Sequence, residues 1–210
     1  MAHIQEILGI KFGNYKFTVD EIIPTVVDAE NPDILIPVVN PSAEQLITSS
    51  YPSLVWYPEN AIPAPTLEEI LTLSAEVDFI IARSLKKEEV RGLRQLNIWK
   101  PLLARTEDGI NYYAETAPEK DLFESGQSMS EDETIRWGCY IGEQVDGKVV
   151  LQDKKILLRF TKSEILSLAN HYRQRKNQEY VLCDMRRAAI DELTTIEQVQ
   201  NYDITQVYVD

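Results

Sequence analysis

The sequence predicts an α+β fold, with a proline-rich extended first third, a helical hairpin, and a small antiparallel sheet packed by C-terminal helices. Eight of the ten prolines lie in the first 65 residues, where long helices are disfavoured because proline fixes φ and lacks an N–H donor. Apolar residues then recur at helical spacing, and a later segment alternates as a half-buried strand does. The chain divides into four regions, which could together form one domain. They are residues 1–65, 66–105, 106–133 and 134–210.

Two runs in the first region, KFGNYKFTV and DILIPVV, are typical of strands, and Pro37 restricts the second to an edge or a short piece. A short helix from Pro41 would be capped by Ser42, with Gln45 three residues later. An extended arm over residues 50–65 follows. Aromatic residues are enriched at interfaces and proline lowers the entropy lost on docking. We therefore expect the arm to contact another protein subunit. The alternative is that the arm folds onto the core of its own chain. The residues expected to make the contact are Tyr51, Trp56, Tyr57, Pro63 and Pro65.

The second region predicts two helices. Thr66 and Glu69 have the spacing of a capping box, which satisfies free N–H groups at a helix start. Seven apolar residues then share one face: Leu67, Ile70, Leu73, Val77, Ile80, Ile81 and Leu85. A second helix over residues 86–99, ending before Pro101, would turn Val90, Leu93 and Leu96 or Asn97 inward. We interpret the pair as a helical hairpin over residues 66–105.

Residues 107–133 carry nine acidic residues and one basic residue, without apolar periodicity. With Gly109, Pro118 and Gly126 inside it, this segment predicts a long surface loop or a partly disordered connector.

The last region predicts a sheet followed by helices. Ile135, Trp137, Cys139 and Ile141 alternate, and Asp146-Gly147 is a strong hairpin signal. The return strand KVVLQ precedes a second possible turn at QDKK and a third strand, ILLRF. A capping box of Thr161 and Glu164 opens a helix, and a further helix covers residues 179–193.

No catalytic motif stands out. The best-placed pair for a metal-dependent nuclease or phosphohydrolase is Asp153 with Lys155, because a carboxylate binds a divalent cation while a lysine steadies a phosphate or water. This is the alternative function. The histidines are scarce and the cysteine spacing does not fit zinc, so we predict no metal and no cofactor.

The net charge of −13 and the pI of about 4.7 disfavour a nucleic-acid binder, since an acidic surface repels phosphates. A third hypothesis uses the same acidic charge: the chain could be an acidic inhibitor that mimics nucleic acid. No apolar run reaches the length of a membrane-spanning helix, and the first residues lack the pattern of a secretory signal. We therefore expect a cytoplasmic or virion location.

The C-terminal segment MRRAAIDELTTIEQVQNYDI resembles the closing segment of small bacteriophage tail-associated proteins, in which a basic helix ends in Thr-Thr and a short helix precedes a Tyr-Asp or Ile-Asp pair. PAPTLEEIL resembles the proline arm before a helix in such proteins. The resemblance implies a virion or assembly component and supplies no catalytic residues. We predict a non-enzymatic structural or adaptor protein that binds other subunits, either different proteins or further copies of itself. The matching residues are Arg186, Arg187, Ile190, Thr194, Thr195, Val199, Tyr202 and Asp203.

Overall fold

A computed structural model of the protein describes residues 3–29, 31, 34–145 and 148–205. The chain forms two compact units. The first consists of Met1–Lys86 and Leu193–Tyr202, and the second of Lys87–Glu192 and Asp203–Asp210. Helices and antiparallel sheets are both present, so the predicted α+β class is confirmed.

The first unit combines helices with two short β-pairs. Its order is α1 (Ile4–Phe12), β1 (Phe17–Thr18), β2 (Thr25–Val27), β3 (Leu35–Pro37), α2 (Ala43–Ser50), a 3-10 turn (Tyr51–Ser53) and β4 (Val55–Trp56). Strand β1 pairs antiparallel with β4, and β2 with β3. Ser42 caps α2, and its hydroxyl accepts a hydrogen bond from the backbone N–H of Gln45, as predicted. The buried core is Ile4, Ile7, Leu8, Ile47, Ile70 and Val77.

Helix α3 runs without interruption from Leu67 to Ile98, so the predicted helical hairpin over residues 66–105 is wrong. No proline lies within it, and Gly92, its single glycine, costs only about 1 kcal/mol in a helix interior. The break therefore comes only near Pro101. The predicted Thr66–Glu69 capping contacts are present at its start. Of the two inward candidates, Leu96 is exposed, whereas the Asn97 side chain donates to Glu179 over 3.2 Å.

The second unit is built on one sheet. After α3 come β5 (Leu102–Glu107), β6 (Ile110–Ala114), α4 (Glu119–Ser128), β7 (Thr134–Val145), β8 (Lys148–Thr161) and α5 (Lys162–Asp191). The strands are antiparallel in the order β5-β6-β7-β8. The short helix α6 (Ile196–Asn201) returns to the first unit. The core of the second unit consists of Ile98, Leu102, Ala114, Leu122, Met129, Cys139, Phe160, Ile165, Leu168, Ala169 and Tyr172.

The predicted acidic loop over residues 106–133 is also wrong, because most of it is ordered as the end of β5, strand β6 and helix α4. The reason lies in Asp108 and Gly109, whose φ angles are 49° and 78°. Two successive positive φ angles make the primed turn that joins twisted strands, and Glu107 pairs with Ile110 across it. This Asp-Gly pair was a hairpin signal within a segment that its charge, its lack of apolar periodicity and its glycines and proline had assigned to a loop.

The long hairpin of β7 and β8 agrees with the alternation in sequence. Cys139 is fully buried, and Ile135 and Trp137 pack against the core. The predicted turn at QDKK is instead a bulge in one continuous strand, because three residues, 152–154, stand opposite Ile141 alone. The predicted turn residues Asp146 and Gly147 lie outside the described residues; the residues that flank them, Val145 and Lys148, are paired.

Helix α5 replaces the two predicted C-terminal helices. Thr161 caps it by accepting from the Glu164 amide, as predicted. No glycine or proline lies between Thr161 and Asp191, so the polar stretch HYRQRKNQ continues the helix instead of breaking it.

Candidate protein-interaction surface

Strands β2 and β3 form a two-stranded ribbon in the first unit. Val26 lies opposite Ile36 in the ladder. The ladder continues beyond both strand ends: Asp28 N–H donates to the Ile34 carbonyl and Val38 N–H to the Pro24 carbonyl, at 2.9 and 2.8 Å. We call residues 22–29 and 34–39 the apolar ribbon.

Both faces of the apolar ribbon are exposed. Val26 and Ile36 share one face and are 49% and 40% exposed. Val27 and Leu35 share the other and are 57% and 63% exposed. A strand with one buried face should show alternating exposure, but β2 and β3 have no buried position at all. The exposed aliphatic side chains of the apolar ribbon are Ile22, Ile23, Val26, Val27, Ile34, Leu35, Ile36 and Val39.

The base of the apolar ribbon is held by three serines. Ile22 N–H donates to Ser50 Oγ over 2.8 Å, and Ser49 Oγ donates to the Ile22 carbonyl over 2.6 Å. Two residues earlier, Asp20 N–H donates to Ser53 Oγ, which donates back to the Asp20 carbonyl. Ser50 itself is buried. Because both backbone groups of Asp20 and of Ile22 are bonded to α2 or to the turn after it, the base is fixed to the body of the unit.

The sequence that contains and flanks the apolar ribbon is acidic. Between Lys16 and Arg83 the sequence has no lysine or arginine, whereas it has eleven aspartates and glutamates. Asp20 and Glu21, at the base, are exposed. The segment that carries the apolar surface therefore has a net negative charge, which favours contact with positive groups.

The predicted interaction residues of the arm separate into two groups. Trp56 and Tyr51 are half-buried and bonded within the unit: Trp56 Nε1 donates to the Ile62 carbonyl over 3.0 Å, and Tyr51 Oη to the Pro65 carbonyl over 3.1 Å. Pro65 is buried. Tyr57 and Pro63 are exposed. For all five residues a role in docking stays a prediction.

The structure does not assemble a site around Asp153 and Lys155. Lys155 Nζ is paired with the Glu115 carboxylate, a contact that raises the pKa of the lysine. Asp153 is exposed, in the bulge of β8. Within the described residues, no group of three or more histidine, cysteine, aspartate or glutamate side chains is arranged to hold a metal ion.

The two cysteines have environments unlike those of reactive nucleophiles. Both cysteines are buried, and burial raises the pKa of the Cys139 thiol to about 11, away from the reactive thiolate. His171 is exposed on α5.

The second unit has an open aromatic cleft of about 530 Å³. Trp99 and Tyr172 lie in it with ring centroids 5.7 Å apart, and Arg173 and Lys176 from α5 contribute to its rim. The cleft therefore combines aromatic surface with positive charge.

Sequence reasoning missed the apolar ribbon as a surface. The signal was present: TVV and DILIPVV are rich in β-branched residues and are bounded by prolines, with acidic residues between them. Such runs predict strands. Because a strand usually buries one face, we did not expect their apolar side chains to be exposed on both faces.

Among the helices within the described residues, none combines the length and the apolar character that a membrane crossing requires. Comparisons with protein-family models, with curated proteins and with solved structures found no match to this chain.

Proposed function

We propose that this chain is a non-enzymatic structural or adaptor protein that acts through protein–protein contacts, and that the apolar ribbon is its main contact surface. The observation that carries the proposal is the exposure of eight aliphatic side chains along one ribbon, two strand pairs of which lie on opposite faces. Single exposed aliphatic residues are common on proteins, but contiguous exposed apolar patches mark interaction sites.

The anchoring of the base supports a functional role for this exposure. A ribbon tied to the protein by four backbone contacts with Ser49, Ser50 and Ser53 is presented in a defined place. A surface held in place loses less entropy when it binds, because fewer backbone torsions are frozen on contact. The apolar side chains are thus offered to a partner on a preorganised support.

We further propose that the partner belongs to a virion or to its assembly. The support is the order of elements at the C-terminus, which follows the resemblance to phage tail-associated proteins. Helix α5 ends at Asp191, Thr195 caps the short helix α6, and the Tyr202–Asp203 pair follows directly.

The proposal is tested with a photo-reactive amino acid placed at Leu35, and at Leu85 as a control. Both leucines are exposed, at 63% and 62%, but Leu85 lies on α3, away from the ribbon sequence. Cross-linking is carried out in cells that produce the protein naturally, and cross-linked proteins are identified by mass spectrometry. A partner specific to position 35 is then purified, and its binding to the parent chain is measured by calorimetry.

We expect a double substitution, Val27→Ser with Leu35→Ser, to weaken this binding at least tenfold, while Leu85→Ser leaves it unchanged. Serine removes apolar contact area without adding charge, and both sites lie on the same exposed face of the ribbon. Equal affinity for the double variant and the parent, or no protein specific to position 35, would refute the proposal.

A further inference from the structure

We infer that the partner adds a third strand to the apolar ribbon along the outer edge of β2, and that this strand carries lysine or arginine beside its apolar residues. This inference rests on the proposed function and assigns the partner's chemistry and its place on the ribbon.

The hydrogen bonds of the ladder show which backbone groups of β2 face outward. Pro24, Val26 and Asp28 direct their backbone toward β3, since the Pro24 carbonyl and the Asp28 N–H are bonded across it and Val26 pairs with Ile36. In an antiparallel pair the alternate residues point their N–H and C=O groups the other way. Thr25 and Val27 therefore present a donor and an acceptor each on the outer edge. Among the described residues, no strand pairs with that edge.

The outer edge of β3 is less suitable for pairing. Its outward residues are Leu35 and Pro37, which lie opposite Val27 and Thr25. Proline has no N–H, so the β3 edge lacks one of the two donors that the β2 edge has. Prolines and charges on an edge are common means of preventing strand addition. The two edges of one ribbon thus differ, and the β2 edge is the open one.

A third strand would also supply what the ribbon lacks in stability. A two-stranded hairpin is marginally stable in water by itself, and three or more strands or packing against another layer are needed for a stable sheet. Neither face of this ribbon is covered within the described residues. Strand addition satisfies the open backbone groups and covers apolar side chains together, which is the usual way an extended peptide binds an exposed sheet edge.

Charge selects the kind of strand. The ribbon and the sequence that flanks it, residues 17–82, contain eleven acidic residues and no lysine or arginine. Pairing of β2 with β2 of a second copy would bring two such regions together, and like charges in close contact oppose association. A strand flanked by lysine or arginine is attracted instead, with an affinity that decreases as salt screens the charges.

The test uses two synthetic peptides, KVTVTVK and EVTVTVE, which share the apolar and β-branched core and differ in the terminal charges. Binding to the full-length chain is measured by fluorescence anisotropy at low and moderate salt. We expect the basic peptide to bind at least tenfold more tightly than the acidic one, with the difference shrinking as salt increases. Absence of binding by the basic peptide, or equal binding of both, would overturn the inference.

Two substitutions locate the edge. Val27→Pro removes an outward donor of β2, and Leu35→Pro removes the outward donor directly opposite on β3. We expect Val27→Pro to abolish binding of the basic peptide and Leu35→Pro to preserve it. As a measurement that needs no variant, the amide protons of Thr25 and Val27 in the parent chain should gain protection from hydrogen exchange on adding the peptide, and the Leu35 amide should not. Protection at Leu35 alone would overturn the edge assignment.

The inference and the proposed function can fail separately. If the cross-linked partner still requires Val27 and Leu35 side chains but the basic peptide does not bind, the strand-addition inference fails and the contact surface stands. If the chain forms dimers in sedimentation experiments and Val27→Pro makes it monomeric, the second copy is the occupant and the basic partner is refuted.

Discussion

The rings of Phe17 and Trp56 are stacked across the antiparallel pair of β1 and β4, with centroids 6.3 Å apart and an angle of 10° between their planes. Phe12 meets the same indole edge-on at 5.9 Å. The indole therefore joins α1 to the β1–β4 pair, and its N–H bond to the Ile62 carbonyl fixes the proline-containing segment that follows.

Trp56→Ala should lower the stability of the folded chain more than it changes any association. Removing this half-buried tryptophan should cost about 2–3 kcal/mol, since the stacked rings lose contact and the part-buried Ile62 carbonyl loses its donor. Urea unfolding measures the loss, and light scattering measures assembly. Tyr57→Ala, at an exposed neighbour, is the control and should be nearly neutral in unfolding. A stable Trp56→Ala chain with a changed assembly state would instead support docking by this tryptophan.

Gly142→Ala should destabilise the sheet by about 1–3 kcal/mol. A Cβ at Gly142 would lie 2.6 Å from Cε2 of Tyr113, a buried ring with little room to move, and 2.9 Å from Leu151. Gly138→Ala is the matched control on the same strand, because there the new Cβ meets the flexible end of Lys155. Thermal unfolding should rank Gly142→Ala clearly below Gly138→Ala. The reverse order would show that the Tyr113 ring does not rest on Gly142.

The features that could be predicted from the sequence are those set by local hydrogen bonding. Ser42, Thr66 and Thr161 each begin a helix with an acceptor three residues before a free amide, and all three contacts are present. The alternation of apolar and polar residues around Cys139 is likewise a local pattern, and it predicts which face of the strand is buried.

Features that depend on the absence of a signal were harder to predict. Helices α3 and α5 continue where a break was expected, because a polar stretch without proline or paired glycines does not stop a helix. Acidic charge and the lack of apolar periodicity assigned residues 107–133 to a loop, although Asp108-Gly109 turns a hairpin. The exposure of the apolar ribbon could not be predicted from the sequence. Whether an apolar strand is exposed depends on what packs against it, and no local sequence pattern specifies that.

The stability of the protein should fall in alkaline solution through Cys139. Burial raises the pKa of this thiol to about 11, whereas the pKa of a thiol in the unfolded chain is about 8.5. Between these values the folded chain holds a proton that the unfolded chain has lost, so the contribution is complete below the unfolded pKa and is lost as pH rises through the folded pKa. Going from pH 8 to pH 10 should cost about 2 kcal/mol of unfolding free energy from this group.

The measurement compares urea unfolding of the parent and of Cys139→Ala at both pH values. The alanine variant starts from a lower stability because it leaves a cavity, but it should lose less on going to pH 10. Identical losses in the two chains would mean that the thiol ionises as readily in the folded state as in the unfolded one.

The last prediction concerns hydrolysis. A divalent-metal nuclease requires carboxylates that converge on the ion from rigid elements, together with a group that positions the phosphate or the attacking water. Lys155, the residue that would position a phosphate, is paired with Glu115 across Gly138, and Asp153 lies in the bulge of β8 with an exposed side chain. We therefore expect no cleavage of single- or double-stranded DNA or RNA with Mg²⁺ or Mn²⁺, and we expect Asp153→Ala to behave as the parent does. The melting temperature should not change with either metal, since a bound ion would raise it by mass action.

Cleavage by the parent that disappears in Asp153→Ala but persists in Asp132→Ala, an acidic control outside the strand, would assign hydrolysis to the bulge and displace the protein-contact function.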